Sequence, residues 1–214
     1  MTELPIFTPG NEPYLGRESV LHFDRVILSC LETDTEVSTY TRKHKNELTD
    51  LQRAACQIIP QGINIALSIR ELVRQGYLFA AAVLMRSLIE RIAVISYLCV
   101  TPGAVSLWNS GWEYNKRPKL AKMLATMNGE VDTKQAQAIC DTFNSLTHGD
   151  PKSASFNLIH IPEGGMGYSV SKNLKDPEFC DFICFQSYFY LIVLMARRTS
   201  CFPEVLAKSN KPTL

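Results

Sequence analysis

The sequence lacks an excess of charge of either sign. Its 22 lysines and arginines face 21 aspartates and glutamates, so the formal net charge of the 214 residues is +1 at pH 7. A nearly neutral chain has no global field that would draw it to nucleic acid or to an anionic membrane. Affinity for nucleic acid would therefore depend on a local patch or on a groove between two subunits. Two basic runs occur, at 42–45 and 116–122, and both are typical of solvated surface.

The cysteines lack the spacing of a metal site or of a disulfide framework. They number seven, no C-x-x-C occurs, and no cysteine–histidine pair has zinc-finger spacing. Most lie in apolar periodic segments, which indicates buried, reduced thiols in a cytoplasmic protein. Glu-x-x-His pairs, which a carboxylate-bridged metal in a helical bundle requires, are absent too. The sequence therefore predicts neither a metal nor another cofactor.

A segment that targets or spans a membrane is not evident. The N-terminus has no basic region followed by an apolar core, so no signal peptide is predicted. The most apolar run, at 182–196, contains Gln186, Ser187 and two tyrosines and is shorter than the roughly 20 residues of a membrane span. We therefore expect a buried core helix there and no membrane partner.

Apolar residues recur with helical spacing along most of the chain. This pattern predicts a mainly α-helical protein, an up-and-down bundle that forms a single domain at 17–202. An extended arm rich in proline and glycine precedes the bundle at 1–16, and a tail follows it at 203–214. The one β element expected is a small hairpin at about 155–171, before the C-terminal helix.

Local signals predict where the first helices begin and end. The first starts near Arg17 and ends in the polar region 33–41. The second spans about 46–75, and Pro60 predicts a kink or a break inside it because proline removes one helical hydrogen bond. Gly76 is the expected left-handed residue after the second helix, and the third helix follows at once as an antiparallel neighbour.

The third helix, at 77–100, is apolar almost all round, which is typical of a central helix buried on several sides. It nevertheless carries Arg86, Glu90 and Arg91 in its middle. Arg86 and Glu90 are four residues apart and therefore share a face. Charges are rare in such positions unless they are paired or functional. Two interpretations stay open: an ion pair that satisfies itself within the core, and a polar site that the bundle encloses.

A second polar group lies at the end of a later helix, predicted at 132–148. Asn144 and His148 are four residues apart there, and Gly149 and Pro151 follow. Glycine and proline are ordinary signals for the end of a helix, and a histidine in the last turn interacts favourably with the helix dipole. The passage alone therefore allows a structural interpretation as well as a functional one.

This passage resembles the signature of the HEPN superfamily, compact helical bundles whose motif is R-[polar]-x-x-x-H. Asn144 matches the polar position and His148 the histidine, whereas Phe143 stands where the motif has arginine. Arg86 and Glu90 match the R-x-x-x-E that a subset of HEPN-like proteins carries on an earlier helix. The resemblance covers roughly residues 45–200.

The resemblance implies a HEPN-like homodimer in which two histidine motifs face each other across a cleft. Many such proteins are metal-independent endoribonucleases, often in toxin–antitoxin or antiviral defence systems, and others are inactive scaffolds or nucleotide binders. RNA and an inhibitory or other partner protein are accordingly the expected partners.

The residue types suit metal-independent RNA cleavage. His148 can take the proton of the 2′-hydroxyl or give one to the leaving 5′-oxygen near neutral pH. A guanidinium stabilises the negative charge of the phosphorane, and we expect Arg86, held by Glu90, to replace the missing motif arginine. Asn144 would orient the imidazole or bind a phosphate oxygen.

The alternative is a catalytically inactive dimerisation module or a module that binds RNA or a nucleotide. In that case Phe143 marks the loss of activity. The near-neutral charge favours this alternative slightly, because enzymes that act on RNA usually have a basic face.

Overall fold

The computed structural model describes residues 11–112, 116–127, 133–148, 150–154, 158–161, 165–168 and 172–205. Within these ranges the chain forms eight helices and two short strands. The helices are α1 (Glu18–Lys43), α2 (Asp50–Gln75), α3 (Leu78–Val100), α4 (Ala104–Asn109), α5 (Leu120–Ala125), α6 (Thr133–Thr147), α7 (Pro151–Ala154) and α8 (Pro177–Cys201), and the strands are β1 (Leu158–Ile161) and β2 (Gly165–Tyr168). The predicted mainly helical bundle is therefore confirmed.

The two strands pair antiparallel, with Leu158 opposite Tyr168 and Ile161 opposite Gly165. The residues that join them and those that flank them, at 155–157 and 169–171, lie outside the described residues. The hairpin expected at about 155–171 accordingly stays a prediction.

The long helices build the core around α3. This helix packs against α2, α8, α5 and α6, and α8 packs against α1 and α2 as well. Residues 92–98 of α3 are buried without interruption. A helix with neighbours on several sides has to be apolar on several faces, which is the pattern that the sequence shows for α3.

The turn between α2 and α3 has the predicted geometry. Gly76 is left-handed with φ 82°, and the Tyr77 N–H donates to the Leu72 carbonyl at 2.8 Å. The Gly76 carbonyl accepts from the Asn173 N–H at 2.8 Å, so the turn also contacts the segment before α8. Because so short a connection reverses the chain, α2 and α3 run antiparallel, as expected.

The first helix is longer than predicted. It was expected to end within 33–41, but it continues to Lys43. Thr33, Thr35 and Thr39 each donate their hydroxyl to the main-chain carbonyl four residues earlier, at 2.8–3.0 Å. Since these bonds satisfy the hydroxyls within the helix, the polar residues do not end it.

The second helix begins later than predicted and is not broken. It starts at Asp50, after a capping box in which Thr49 and Gln52 exchange hydrogen bonds, and it continues through Pro60 to Gln75. Proline costs one helical hydrogen bond, but α2 packs against α1, α3 and α8, and these contacts hold it in one piece.

The described part of the N-terminal arm lies against the bundle. The buried Tyr14 donates its hydroxyl to the Asn173 carbonyl at 2.7 Å. Glu12 lies 2.5 Å from Arg70, and Arg70 also binds Asp24 at 2.6 Å. Burial lowers the pKa of Arg70, but the hydrogen bonds that Arg70 donates to Asp24 and its interaction with Glu12 outweigh burial and raise the pKa above its ordinary value.

Replacing Gly76 by alanine should lower the free energy of unfolding by about 1–3 kcal/mol, because left-handed backbone is unfavourable for residues with a Cβ. A Cβ at this position would also lie 2.5 Å from Leu174 Cδ2 and 3.2 Å from the Asn173 carbonyl oxygen. Urea denaturation measures the loss.

Gly103→Ala is the matched control, since Gly103 has φ 75° but no atom within 4 Å of the added Cβ. It should lose only the backbone contribution, about 1 kcal/mol. Equal losses in the two variants would show that the contacts around Gly76 contribute nothing.

Candidate functional site

Polar side chains of α3 and α6 meet at one place in the bundle. Arg86 Nε donates to Asn144 Oδ1 at 3.0 Å, and Arg86 Nη1 lies 3.5 Å from Glu90 Oε2. Glu90 also forms an ion pair and hydrogen bond with Arg117, which precedes α5. We call Arg86, Glu90, Arg117 and Asn144 the Arg86 cluster. The structure thus joins three of the four residues that the sequence singled out.

The Arg86 cluster runs from the interior of the bundle towards solvent. The side chains of Arg86 and Glu90 are 22% and 25% exposed, and that of Arg117 is 50% exposed. Arg86 Nη1 is buried and, among the described residues, has no hydrogen-bond acceptor. A buried guanidinium nitrogen without a hydrogen bond is unfavourable, and the Glu90 carboxylate 3.5 Å away compensates its charge only in part.

Apolar surroundings lie on the inner side of the cluster. Burial raises the pKa of the Cys140 thiol, and the charge of Arg86 partly offsets that rise. Burial also raises the pKa of Tyr190 to about 12, with a smaller contribution from Cys140. Since both groups are almost completely buried, the charge of Arg86 borders a region of low polarity, where electrostatic interactions are stronger than in water.

His148 lies one helical turn beyond Asn144, at the end of α6. Its main-chain N–H donates to the Asn144 carbonyl at 2.9 Å, and its side chain is exposed. No group in the described part of the chain is hydrogen-bonded to its imidazole. The side-chain oxygen of Asn144 accepts from Arg86, and the side-chain N–H₂ of Asn144 donates to no described residue. His148 thus lies one helical turn from Asn144 along α6, and its exposed imidazole takes no part in the hydrogen bonds of the cluster.

Phe143 occupies the position of the motif arginine and points into the core. It is 4% exposed, and its ring stacks on Phe182 of α8 with centroids 6.5 Å apart. The Phe143 ring therefore packs α6 against α8. Arg86, which comes from α3, supplies the guanidinium beside Asn144 instead.

Arg117 is the member of the cluster that the sequence did not predict. It belongs to the basic run at 116–122, which was interpreted as solvated surface. It is 27 positions from Glu90 in sequence and lies outside the regular helices, so no periodic spacing connects the two. The only sequence signal for Arg117 was the Glu90 carboxylate on the mostly apolar α3, which indicates a positively charged partner.

Metal-binding side chains are not clustered in the described part of the chain. Within it, no group of three or more histidine, cysteine, aspartate or glutamate side chains has the proximity to hold a metal ion. All seven cysteines are free thiols, and five of them are buried.

The predicted core helix at 182–196, now part of α8, is buried on one face only. Its outward face carries four apolar side chains that are 38–51% exposed, namely Phe182, Phe185, Phe189 and Ile192. We call them the α8 stripe. Among the described helices, α8 is long and apolar enough to cross a membrane by length and composition, a test that core helices also pass.

Comparison with known proteins assigns no family to this chain. No family model matches it, and no curated protein or solved structure is significantly similar to it. Its function therefore has to be inferred from the chemistry of its own residues.

Replacing Asn144 by leucine should lower the free energy of unfolding by about 1–3 kcal/mol, because the partly buried Arg86 Nε–H loses its acceptor. Combined with Arg86→Met in a double-mutant cycle, it should show a coupling energy of about 0.5–3 kcal/mol. Urea denaturation of the four proteins measures both quantities.

Gln135→Ala, at an exposed position of the same helix, is the control partner for Arg86→Met. Sites without shared contacts usually add within about 0.5 kcal/mol. A coupling for Asn144 no larger than that of Gln135 would contradict an energetic role for the hydrogen bond.

Proposed function

We propose that this protein is a HEPN-like bundle, with a small hairpin before α8, that cleaves RNA without a metal ion. The 2′-hydroxyl of the substrate attacks the adjacent phosphorus, and the 5′-oxygen leaves. The observation that carries the proposal is the hydrogen bond from Arg86 Nε to Asn144 Oδ1 at 3.0 Å. This bond fixes a guanidinium beside the helix end that carries His148, although the two residues come from different helices.

The proton transfers are assigned to His148. An exposed imidazole at a helix end is accessible to a polymeric substrate, and histidine accepts and donates protons near neutral pH. The histidine takes the proton of the 2′-hydroxyl as the O2′–P bond forms and gives a proton to the 5′-oxygen as the P–O5′ bond breaks. In a dimer, the two His148 side chains can divide these steps between them.

Stabilisation of the phosphorane is assigned to Arg86 and Asn144. The Arg86 side chain is held at Nε by Asn144 and near Nη1 by Glu90, so little reorganisation is needed when negative charge develops on the phosphoryl oxygens. The amide N–H₂ of Asn144 can donate to one of these oxygens. Glu90 positions the guanidinium and has no assigned proton transfer.

Local charge supports RNA as the substrate. Arg86 and Arg117 share the single carboxylate of Glu90, which leaves the cluster with one positive charge in excess. Arg117 also connects the cluster to the basic run at 116–122, where further lysines follow it in sequence. Contacts between such side chains and phosphates provide affinity without a strongly basic whole chain.

The α8 stripe supports a homodimer. Its residues recur at intervals of three or four, so they lie on one face of α8 and form an exposed apolar surface. Phe182, at one end of the stripe, stacks on Phe143, the neighbour of Asn144. A second copy that docks along the stripe about a two-fold axis would therefore lie beside the Arg86 cluster. As a toxin-type or defence effector in the cytoplasm, the dimer would also be the target of an inhibitory partner.

A second candidate function is an inactive HEPN-like module for dimerisation or for binding RNA or a nucleotide. The observation that favours it is the burial of Phe143 at the position of the motif arginine. In this case the ion pair between Arg86 and Glu90 stabilises the bundle, and the exposed His148 takes part in no reaction.

Replacing His148 by alanine should reduce RNA cleavage by the purified protein by about 10²–10⁴-fold, the usual contribution of general acid–base catalysis. Arg86→Gln should cause a loss of about 10²-fold or more, because a preorganised charge is removed from the transition state. Cleavage of a fluorescently labelled RNA in the presence of a chelator measures both rates.

His44→Ala is the control, since His44 lies at the far end of α1 and contacts Tyr40 and Glu47. It should retain the full rate. Background cleavage that is the same for the unaltered protein and for His148→Ala would exclude the nuclease, and binding of the same RNA in that experiment would favour the inactive module.

Replacing Phe185 and Phe189 together by aspartate should convert the dimer into a monomer, because the charges would be buried in the interface. Light scattering after size-exclusion chromatography measures the mass. Leu15→Asp is the control, since Leu15 is 67% exposed and lies outside α8. An unaltered protein that is monomeric, or that binds to lipid vesicles through the stripe, would contradict this dimer.

A further inference from the structure

A second arginine, Arg198 near the end of α8, is buried with very few partners. Its exposed fraction is 3%. Its one side-chain hydrogen bond among the described residues runs from Nη1 to the Cys30 carbonyl at 3.0 Å, and no described carboxylate lies within ion-pair distance. A guanidinium has five N–H donors, so most of its hydrogen-bonding capacity is unused. Burial lowers the pKa of Arg198, and the nearby charges of Cys30, Asp34 and Glu36 do not compensate fully.

Arg198 lines a small cavity of about 140 Å³ between α1, α2 and α8, which we call the Arg198 pocket. None of its nitrogens is both buried and without a partner, unlike Arg86 Nη1. The Arg198 nitrogens that make no hydrogen bond therefore retain some solvent-accessible surface. Because Arg198 is otherwise buried, we attribute this surface to the adjoining cavity. The pocket consequently presents a positive charge with free N–H donors.

The other polar groups of the pocket include a carboxylate and two hydroxyls, of which the Thr41 hydroxyl donates to the Ser38 carbonyl. Asp34, Ser38 and Thr41 line it from one face of α1. Cys56 and Pro60 line it from α2, and because proline has no N–H, the Cys56 carbonyl lacks its usual helical donor. Asp34, and a residue whose carbonyl lacks its helical donor, therefore line the same pocket as Arg198.

The charges of the pocket match a ligand with one charge of each sign. Arg198 and Asp34 both line it, yet they form no ion pair with each other. A simple anion would be attracted by Arg198 and repelled by Asp34, and a simple cation would experience the reverse. A zwitterion places its carboxylate on the buried guanidinium and its ammonium on the half-buried Asp34, so that both charges are compensated.

The size of the pocket limits the ligand. Its volume is below the roughly 300–1,000 Å³ of sites for drug-sized ligands, and above the 10–15 Å³ that about one water needs. Part of the wall is apolar, formed by Val37, Ile59 and Phe202, which leaves room for a short aliphatic group. A nucleotide is too large for this space.

We propose that the Arg198 pocket binds a free α-amino acid with a short side chain. The ligand carboxylate accepts from the N–H groups of Arg198, and its ammonium donates to the Asp34 carboxylate and to the Cys56 carbonyl. The pocket shares no residue with the Arg86 cluster, so this binding does not depend on the proposed nuclease activity. The bound ligand would connect α1, α2 and α8 and so stabilise the folded protein.

The test compares three probes of nearly equal size on the full chain: L-alanine, propionate, which lacks the ammonium, and L-alaninamide, which lacks the carboxylate. Calorimetric titration measures binding, and thermal unfolding gives an independent readout. L-Alanine should bind and raise the melting temperature, and each analogue should bind roughly tenfold or more weakly, because one charge of the pocket loses its partner. Absence of L-alanine, glycine and L-serine binding at up to about 10 mM would overturn the proposal.

Asp34→Asn and Glu36→Gln distinguish a zwitterion site from a general anion site. Both carboxylates raise the pKa of Arg198, but only Asp34 lines the pocket. Asp34→Asn should remove the preference for L-alanine over propionate, and Glu36→Gln should keep it. Because both residues are on the outer part of α1, these variants should fold even if a change of Arg198 itself does not. The same preference in both variants would overturn the assignment of the ammonium to Asp34.

Discussion

The guanidinium of Arg86 has to find polar partners in a bundle whose central helix is otherwise apolar, and this requirement organises the region between α3 and α6. Transfer of a guanidinium out of water is strongly unfavourable unless it is hydrogen-bonded and paired with charge. Asn144 of α6 provides the acceptor, and Glu90 provides the charge one turn along α3. The position of α6, and of His148 at its end, therefore depends on a hydrogen bond to a side chain in the centre of the bundle.

Periodicity in the sequence was sufficient to predict α2, α3 and α8, because burial of a long helix leaves a pattern along the chain itself. It also predicted that Arg86 and Glu90 share a face. It could not predict that Asn144 would bind Arg86, since these residues are 58 positions apart and spacing specifies only the face of a helix, not its neighbour. The participation of Arg117 was unpredictable for the same reason: its partner is determined by how the segment before α5 packs.

The unexpected length of α1 and the exposed apolar face of α8 have a common physical origin. In α1, threonine hydroxyls bind main-chain carbonyls one turn earlier, so residues that look like the end of a helix continue it. In α8, both the covered and the outward face are apolar, and composition alone does not reveal which of them the chain covers itself. In each case the sequence shows how polar a residue is. It does not show which group binds a polar residue or covers an apolar one, because that depends on the tertiary structure.

Three arginines on the long helices differ in how completely the protein satisfies them. Arg70 binds the carboxylates of Glu12 and Asp24, and two such partners make it a structural link between the arm, α1 and α2. Arg86 has one amide acceptor and a more distant carboxylate that it shares with Arg117, so part of its capacity stays unused. Arg198 has a single main-chain carbonyl and a cavity beside it. Among the described residues, the number of carboxylate partners thus falls from Arg70 to Arg86 to Arg198. Because burying a charge is unfavourable, an arginine with fewer partners is less well compensated. A bound phosphate at Arg86 and a bound carboxylate at Arg198 would each reduce this deficit in partners. Arg70 already has two carboxylates beside it, although its Nη1 makes no hydrogen bond with favourable geometry.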